Sequence, residues 1–225
     1  MPLLGVVFDF DGVIADTEAL HLRAYQDTLA GRHLSLSKTD YFDRYLGYDD
    51  VGVFTGIARN RGVVLQDSEL TALIEAKGRR FDTLVTTDRV LFPDSADCIL
   101  RLAATTKLAI ASGALHDEIE RILVANALRH CFEVVVAADD VERAKPSPDG
   151  YLQAVSRLGH GHDLSAGSGY VAIEDSQWGL EAARAAGLKT VGITNTYPES
   201  KLTAADVVVD SLALIDYRFL EALCP

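Results

Sequence analysis

Six short apolar runs, each of strand length, constrain this chain more than any other feature. They fall at residues 3–8, 107–111, 133–136, 170–173, 190–193 and 207–209. A continuous apolar run, unlike an alternating one, fits a strand buried on both faces. Helical periodicity lies between the runs. In 115–127, Leu115, Ile119, Ile122 and Leu123 share one face, and Asp117 and Glu118 sit in the first turn, where the helix dipole favours acid. In 176–187, Ser176 can cap a helix and Gly187 can end it. Strand and helix in alternation predict an α/β fold, a parallel sheet with helices on both faces in three layers.

Residues 16–88 break that alternation and contain no buried-strand run. Leu22, Tyr25 and Leu29 share one helical face, and Leu70, Leu73, Ile74, Phe81 and Leu84 share another. The spacing predicts an all-helical domain over 16–88, inserted after the first strand. The α/β core is then discontinuous, 1–15 with 89–225, and Pro93 marks the return to it. Residues 159–169 are Gly-rich and read as a loop. His160 and His162 in it read as surface polarity, since one His-x-His pair is weak evidence for a metal.

Chemistry concentrates where the apolar runs end. Asp9-Phe10-Asp11-Gly12 follows the first run, and strand alternation puts Asp9 and Asp11 on the same side. Asp-Gly is also an ordinary strand-end turn. Glu174-Asp175-Ser176 follows the run at 170–173; Ser176 alone would cap the next helix, so capping does not explain the two acids. In a parallel sheet both pairs leave at the carboxyl edge, where ligands bind. Two converging acidic pairs repel unless a cation is shared, and Mg²⁺ prefers such oxygen ligands. Asp9 suits a nucleophile toward phosphorus, and Asp11 suits a group that protonates the leaving oxygen and then activates water. Ser112-Gly113 ends the run at 107–111 and is read as opening a helix, a place for a phosphate oxygen or for simple capping. Lys145-Pro146 follows the run at 133–136. Alone, Lys145 reads as a solvated loop lysine; beside Asp9 it would neutralise nucleophile and phosphoryl group together.

Net charge narrows the partners. The 225 residues carry 21 Lys and Arg against 33 Asp and Glu, a formal charge of −12, which argues against nucleic acid and anionic membranes. The run at 3–8 is too short to span a bilayer and leads into acid, so neither a membrane anchor nor a signal peptide is expected. Three cysteines, far apart and odd in number, suggest a reducing, cytoplasmic setting without a disulfide framework.

The four motifs, in this order and each after an apolar run, resemble those of the haloacid dehalogenase superfamily of phosphohydrolases and phosphomutases. Asp9-Phe10-Asp11-Gly12-Val13 is similar to its first motif, Ser112 to its second, Lys145 within Lys145-Pro146-Ser147-Pro148-Asp149 to its third, and Glu174-Asp175 to its fourth. The resemblance spans essentially the whole chain. It implies a Rossmann-like core, Mg²⁺, an aspartyl-phosphate on Asp9 and acid/base work by Asp11. It further implies a metal held by Asp9, the backbone carbonyl of Asp11, and Asp175, with Glu174 in direct or indirect contact. Ser112, Gly113 and Lys145 would bind the phosphoryl group.

The helical insert resembles the cap of the β-phosphoglucomutase-like and sugar-phosphate phosphatase branch, which closes over substrate and sets specificity. Thr17 and His21, four apart on one helix face, are similar to residues that couple such a cap to the acid/base aspartate. Lys77, seven residues after Leu70 on the apolar stripe, either snorkels to water or meets a substrate oxygen; it is similar to a cap lysine of that branch. In the mutases an arginine follows a cap-loop glycine and holds a distal phosphate. Here that stretch is Leu46-Gly47-Tyr48-Asp49-Asp50, acidic instead, which favours a monophosphate. Asp11 argues against dehalogenation, and the absence of lysine in 46–50 argues against phosphonate cleavage.

The expectation is therefore a Mg²⁺-dependent phosphatase for a small phosphorylated metabolite such as a sugar phosphate, acting as a monomer or weak homodimer. The alternatives are a β-phosphoglucomutase-like phosphosugar mutase and a non-catalytic phosphometabolite-binding protein.

Overall fold

The computed structural model describes residues 2–30, 32, 34–45, 48, 50–87, 89–159 and 169–224. They divide into two compact units, one running to Asp16 and resuming at Leu91, the other Thr17–Val90.

The first unit is built on six parallel strands: β1 (Gly5–Phe8), β2 (Lys107–Ala111), β3 (Val134–Val136), β4 (Tyr170–Glu174), β5 (Lys189–Ile193) and β6 (Val207–Val209). Each lies within or beside one of the six apolar runs. Their order is β3-β2-β1-β4-β5-β6. Val6, Val7 and Phe8 of β1 have no solvent exposure, as a strand covered on both faces requires. Burying those three side chains contributes on the order of 5 kcal/mol.

The helices of this unit are α5 (Ser95–Ala103), α6 (His116–Ala125), α7 (Asp149–Leu158), α8 (Gln177–Ala185) and α9 (Tyr217–Glu221), after α1 to α4 of the second unit. One face of the sheet presents Val7, Ala109, Ala111 and Ala172. Tyr151, Ala154, Val155 and Leu158 of α7 and Ala182 and Ala183 of α8 pack on it. By strand alternation Phe8, Leu108, Ile110 and Ile173 project from the other face and are fully buried. Ser176 caps α8 by accepting the Gly179 N–H at 3.1 Å, and Gly187 follows the helix with a φ of 83°. The apolar face read over 115–127 is corrected in one place. Leu115 precedes α6 as its N-cap and is exposed, so the buried stripe consists of Ile119, Ile122 and Leu123.

The second unit is helical: α1 (Thr17–Ala30), α2 (Lys38–Arg44), α3 (Asp50–Asn60) and α4 (Asp67–Thr87). Leu22, Tyr25 and Leu29 of α1, Phe54 and Ile57 of α3, and Leu73 of α4 meet in one core with Tyr41 and Tyr45. Ser37 caps α2 by accepting the Asp40 N–H at 3.0 Å. Among the described residues no helix is long and apolar enough to cross a membrane.

Candidate active site

Strand order determines where the chemistry gathers. From β1 the sheet extends through β2 and β3 on one side and through β4, β5 and β6 on the other, so β1 and β4 flank the point where the winding reverses. Ligand sites of open parallel sheets lie outside the carboxyl ends of the strands at that point.

Asp9 follows β1 directly. Its N–H still donates to the Ile173 carbonyl at 2.9 Å, which sets Asp9 beside Glu174, the last residue of β4. The chain then folds back, with the Ile14 and Ala15 N–H groups both donating to the Phe10 carbonyl. Gly12 sits in this loop with a φ of 79°. A Cβ there would run into the Asp175 carboxylate and the Thr196 hydroxyl, so only glycine lets the loop lie against them. Asn195, beyond β5, pins the loop by donating from Nδ2 to the Gly12 carbonyl at 2.9 Å.

Lys145 joins the two acidic motifs. Its ammonium donates to Asp9 Oδ1 at 2.7 Å and to Glu174 Oε1 at 2.6 Å. The Tyr151 hydroxyl donates to the same Glu174 oxygen at 3.1 Å, and Lys145 Nζ lies 5.2 Å from the Tyr151 ring centre. Glu174 Oε2 accepts from the Asp175 and Ser176 N–H groups and the Ser176 hydroxyl, each at 3.0 Å. Glu174 is fully buried, and these donors offset the cost of removing a carboxylate from water. Gly179 of α8 makes room for it, since a Cβ there would overlap the carboxylate.

Candidate ligand oxygens of Asp9, Glu174 and Asp175 lie within 4.8 Å of one another. Burial, and then the charge of Glu174, push Asp9 up to about 7 against the pull of Lys145; Asp11 adds to the rise. Burial, and then the charges of Asp9 and Glu174, push Asp175 up to about 8, while a hydrogen bond with Thr196 opposes the rise. Burial pulls Lys145 down, but Asp9 and Glu174 outweigh it and hold the ammonium well above its usual range. Fully ionised, three carboxylates and one ammonium leave a net charge of −2. That deficit and an all-oxygen donor set fit one divalent hard cation.

The other expected residues fall as follows. Asp11 lies in the loop after β1, forms a bridge with Ala15, and its carboxylate is outside the cluster of three. Ser112 is buried at the end of β2; its N–H donates to the Val136 carbonyl, and its Oγ accepts the Ala114 N–H at 3.1 Å. Since Phe8 pairs with Ile110, Ser112 lies one residue beyond the level of Asp9 on the neighbouring strand. Ser112-Gly113 does not open a helix, because α6 starts at His116; Ser112 closes a turn instead, and Gly113 is exposed with open space around it.

The remaining three belong to the helical unit. Thr17 is buried at the start of α1. Lys77 is buried on α4: its ammonium lies 2.9 Å from His21 Nδ1 and 2.8 Å from Asp50 Oδ1, over the rings of Tyr25 and Phe81. His21 stacks on Phe81 at 4.3 Å, and the Tyr25 hydroxyl donates to Asp50 Oδ1 at 2.5 Å. Lys77 is therefore ion-paired inside its own unit. Leu46, Gly47 and Asp49 of the acidic stretch, and His160 and His162 of the Gly-rich loop, lie outside the described residues.

Sequence reasoning missed Tyr151, Asn195, Thr196 and the pairing of Asp50. Tyr151 shares the apolar face of α7 with Ala154, Val155 and Leu158, so its position resembles any core tyrosine. Asn195 and Thr196 do carry a faint signal, polar residues just past an apolar run at the same sheet edge as the acids.

Known proteins match over the same span. The model of the haloacid dehalogenase-like hydrolase family covers residues 6–193. Protein CbbY of Rhodobacter capsulatus is 32% identical over 221 residues, 95% of each chain. The fructose-1-phosphate phosphatase YqaB of Escherichia coli is 30% identical over 191 residues, 84% of this chain and 95% of that one. Among solved structures, CbbY of Rhodobacter sphaeroides in complex with phosphate superposes with a TM-score of 0.76 at 28% identity, covering 94% of this chain and 96% of that one. A mutant of the same protein was solved with xylulose-1,5-bisphosphate. The four motifs, the sheet order and these matches agree, and the chain belongs to the haloacid dehalogenase-like hydrolases.

Proposed function

We propose that this hydrolase is a Mg²⁺-dependent phosphoric monoester hydrolase acting on a small phosphorylated metabolite, a sugar phosphate. The observation that carries the reading is the Asp9 carboxylate. It is buried at the switch point, hydrogen-bonded to Lys145 at 2.7 Å, and flanked by Glu174 and Asp175. Phosphatase relatives of similar length support the substrate class: YqaB is named for fructose 1-phosphate, and a 27% identical relative is a hexitol phosphatase.

Asp9, Asp175 and the Asp11 carbonyl would hold the metal. When bound, it supplies positive charge that offsets the carboxylates and the phosphoryl oxygens. The chain's own groups do the rest. An Asp9 oxygen bonds to phosphorus as the bond from phosphorus to the sugar oxygen breaks, and Asp11 gives that oxygen its proton. Asp11 then takes a proton from water as the water oxygen attacks phosphorus, which releases inorganic phosphate and restores Asp9. Lys145 opposes the rise at Asp9 and, with the Ser112 hydroxyl, meets the charge of the transferring group. The pairing of Lys77 with Asp50 leaves the helical unit no spare charge at Lys77 for a second phosphate, which supports a monophosphatase over a mutase.

A screen of phosphorylated sugars and polyols with Mg²⁺, reading released phosphate, tests the reading. One or more should be turned over, and Asp9→Asn should abolish the activity. Near wild-type release by Asp9→Asn would remove Asp9 as the nucleophile.

A further inference from the structure

Tyr151 is among the largest side chains with no solvent exposure, yet its hydroxyl ends at a buried carboxylate. Its hydroxyl donates to Glu174 Oε1, the same oxygen that accepts from Lys145. Its ring lies beneath the Lys145 ammonium. The other Glu174 oxygen is held by Asp175 and Ser176. Glu174 cannot shift on that side, so Oε1 is where its pull on Lys145 is decided.

We propose that Tyr151 is a positioning residue for the reaction, setting how Lys145 divides itself between Glu174 and Asp9. This rests on the phosphatase reading of Asp9 and Lys145. The physical argument is competition at one oxygen. With the hydroxyl in place, Glu174 Oε1 shares its lone pairs between two donors, and Lys145 also reaches Asp9 Oδ1. Without it, the buried Oε1 has Lys145 alone to satisfy it, and leaving such an oxygen short of donors is costly. The ammonium is then drawn toward Glu174 and away from Asp9. The ring face sets a floor under the cation and holds its height by cation–π attraction. A core tyrosine with no such role would need only its ring.

Tyr151→Phe keeps the ring and removes the hydroxyl. It should lower kcat about tenfold, as loss of a hydrogen bond to a charged group implies, with KM within about twofold. Calorimetric titration with orthophosphate in the presence of Mg²⁺ should show weaker binding than in wild type, and this readout needs no turnover. In a Lys145→Ala background the same change should have no further effect on orthophosphate binding, because Tyr151 acts through Lys145. Tyr151→Leu, which also removes the ring, should lower both kcat and the melting temperature. The proposal is overturned if Tyr151→Phe matches wild type in kcat and orthophosphate binding. It is equally overturned if the loss persists undiminished beside Lys145→Ala. A wild-type protein that hydrolyses no phosphomonoester would sink the phosphatase reading instead, and the orthophosphate titrations would still decide the role of Tyr151.

Discussion

Each unit sets a lysine ammonium over an aromatic ring and against carboxylates, with opposite balance. In the helical unit Lys77 faces one carboxylate, Asp50, and one imidazole nitrogen, over Tyr25 and Phe81. Lys77 pairs with Asp50, and the Tyr25 hydroxyl also donates to the acid. In the α/β unit Lys145 faces Asp9 and Glu174 directly, with Asp175 alongside, and the sum is −2. In the first, Lys77 and Asp50 balance one another. The second carries surplus negative charge that protons or a divalent cation would offset; burial first, and then the neighbouring carboxylates, raise Asp9 and Asp175. An ion-paired lysine alone thus says little about function; the charge left over around it says more.

The largest expected effect breaks the symmetry between the clusters. Asp9→Asn, or chelation of divalent metal, should remove turnover altogether, whereas Asp50→Asn should leave the α/β cluster's Mg²⁺ affinity as in wild type. Metal-dependent calorimetry of the two variants checks this; equal loss of Mg²⁺ binding in both would erase the distinction.

Next comes stability. Replacing Lys77 by Met leaves Asp50 with the Tyr25 hydroxyl but no cation, and should destabilise the protein by about 1–3 kcal/mol, the cost of a partly buried group left short of a partner. Lys145→Met adds a full negative imbalance to the other cluster. Its melting temperature should therefore recover with Mg²⁺ more than that of Lys77→Met, as read by calorimetric melting with and without metal.

The third effect is a pH dependence. Asp9 and Asp175 stand at about 7 and about 8 in the folded metal-free protein, against an ordinary 3.8. Between those limits the folded state binds more protons than the unfolded one, so these groups stabilise the fold at low pH. That contribution is lost as pH rises through 7 to 8. Metal-free protein should melt lower at pH 8.5 than at pH 6, and saturating Mg²⁺ should flatten or invert the trend. The apparent Mg²⁺ affinity should rise over the same interval, because binding displaces protons. Metal affinity that does not change with pH would show that these carboxyls are not the ligands.

Thr196→Val is the smallest change. It removes the hydroxyl that holds Asp175, and should weaken Mg²⁺ binding by a few-fold, at about 1 kcal/mol for one hydrogen bond, with little change in melting temperature.

How far all this was legible in the sequence follows the range of each interaction. The strands were readable because a fully buried strand must be apolar along its whole length, as Val6, Val7 and Phe8 are. Asp9, Lys145, Glu174 and Asp175 were readable because each follows such a run and matches a family motif. The start of α6 was misplaced because Ser112 and Gly113 suit a turn as well as a cap, and only the fold decides. Tyr151 was invisible, and Thr196 only faintly marked, for another reason. Their partners, Glu174 and Asp175, lie more than twenty residues away, and no local pattern separates a core tyrosine or a loop threonine from one that holds a carboxylate.

The central claim is that the surplus of negative charge at the sheet edge serves a nucleophile at Asp9. The most direct test is a rapid acid quench during turnover of a substrate found by the screen, followed by peptide mass spectrometry. A phosphoryl adduct should appear on the peptide carrying Asp9, decay as phosphate is released, and be absent in Asp9→Asn. Brisk turnover with the adduct on another residue, or with catalysis intact in Asp9→Asn, would contradict the account.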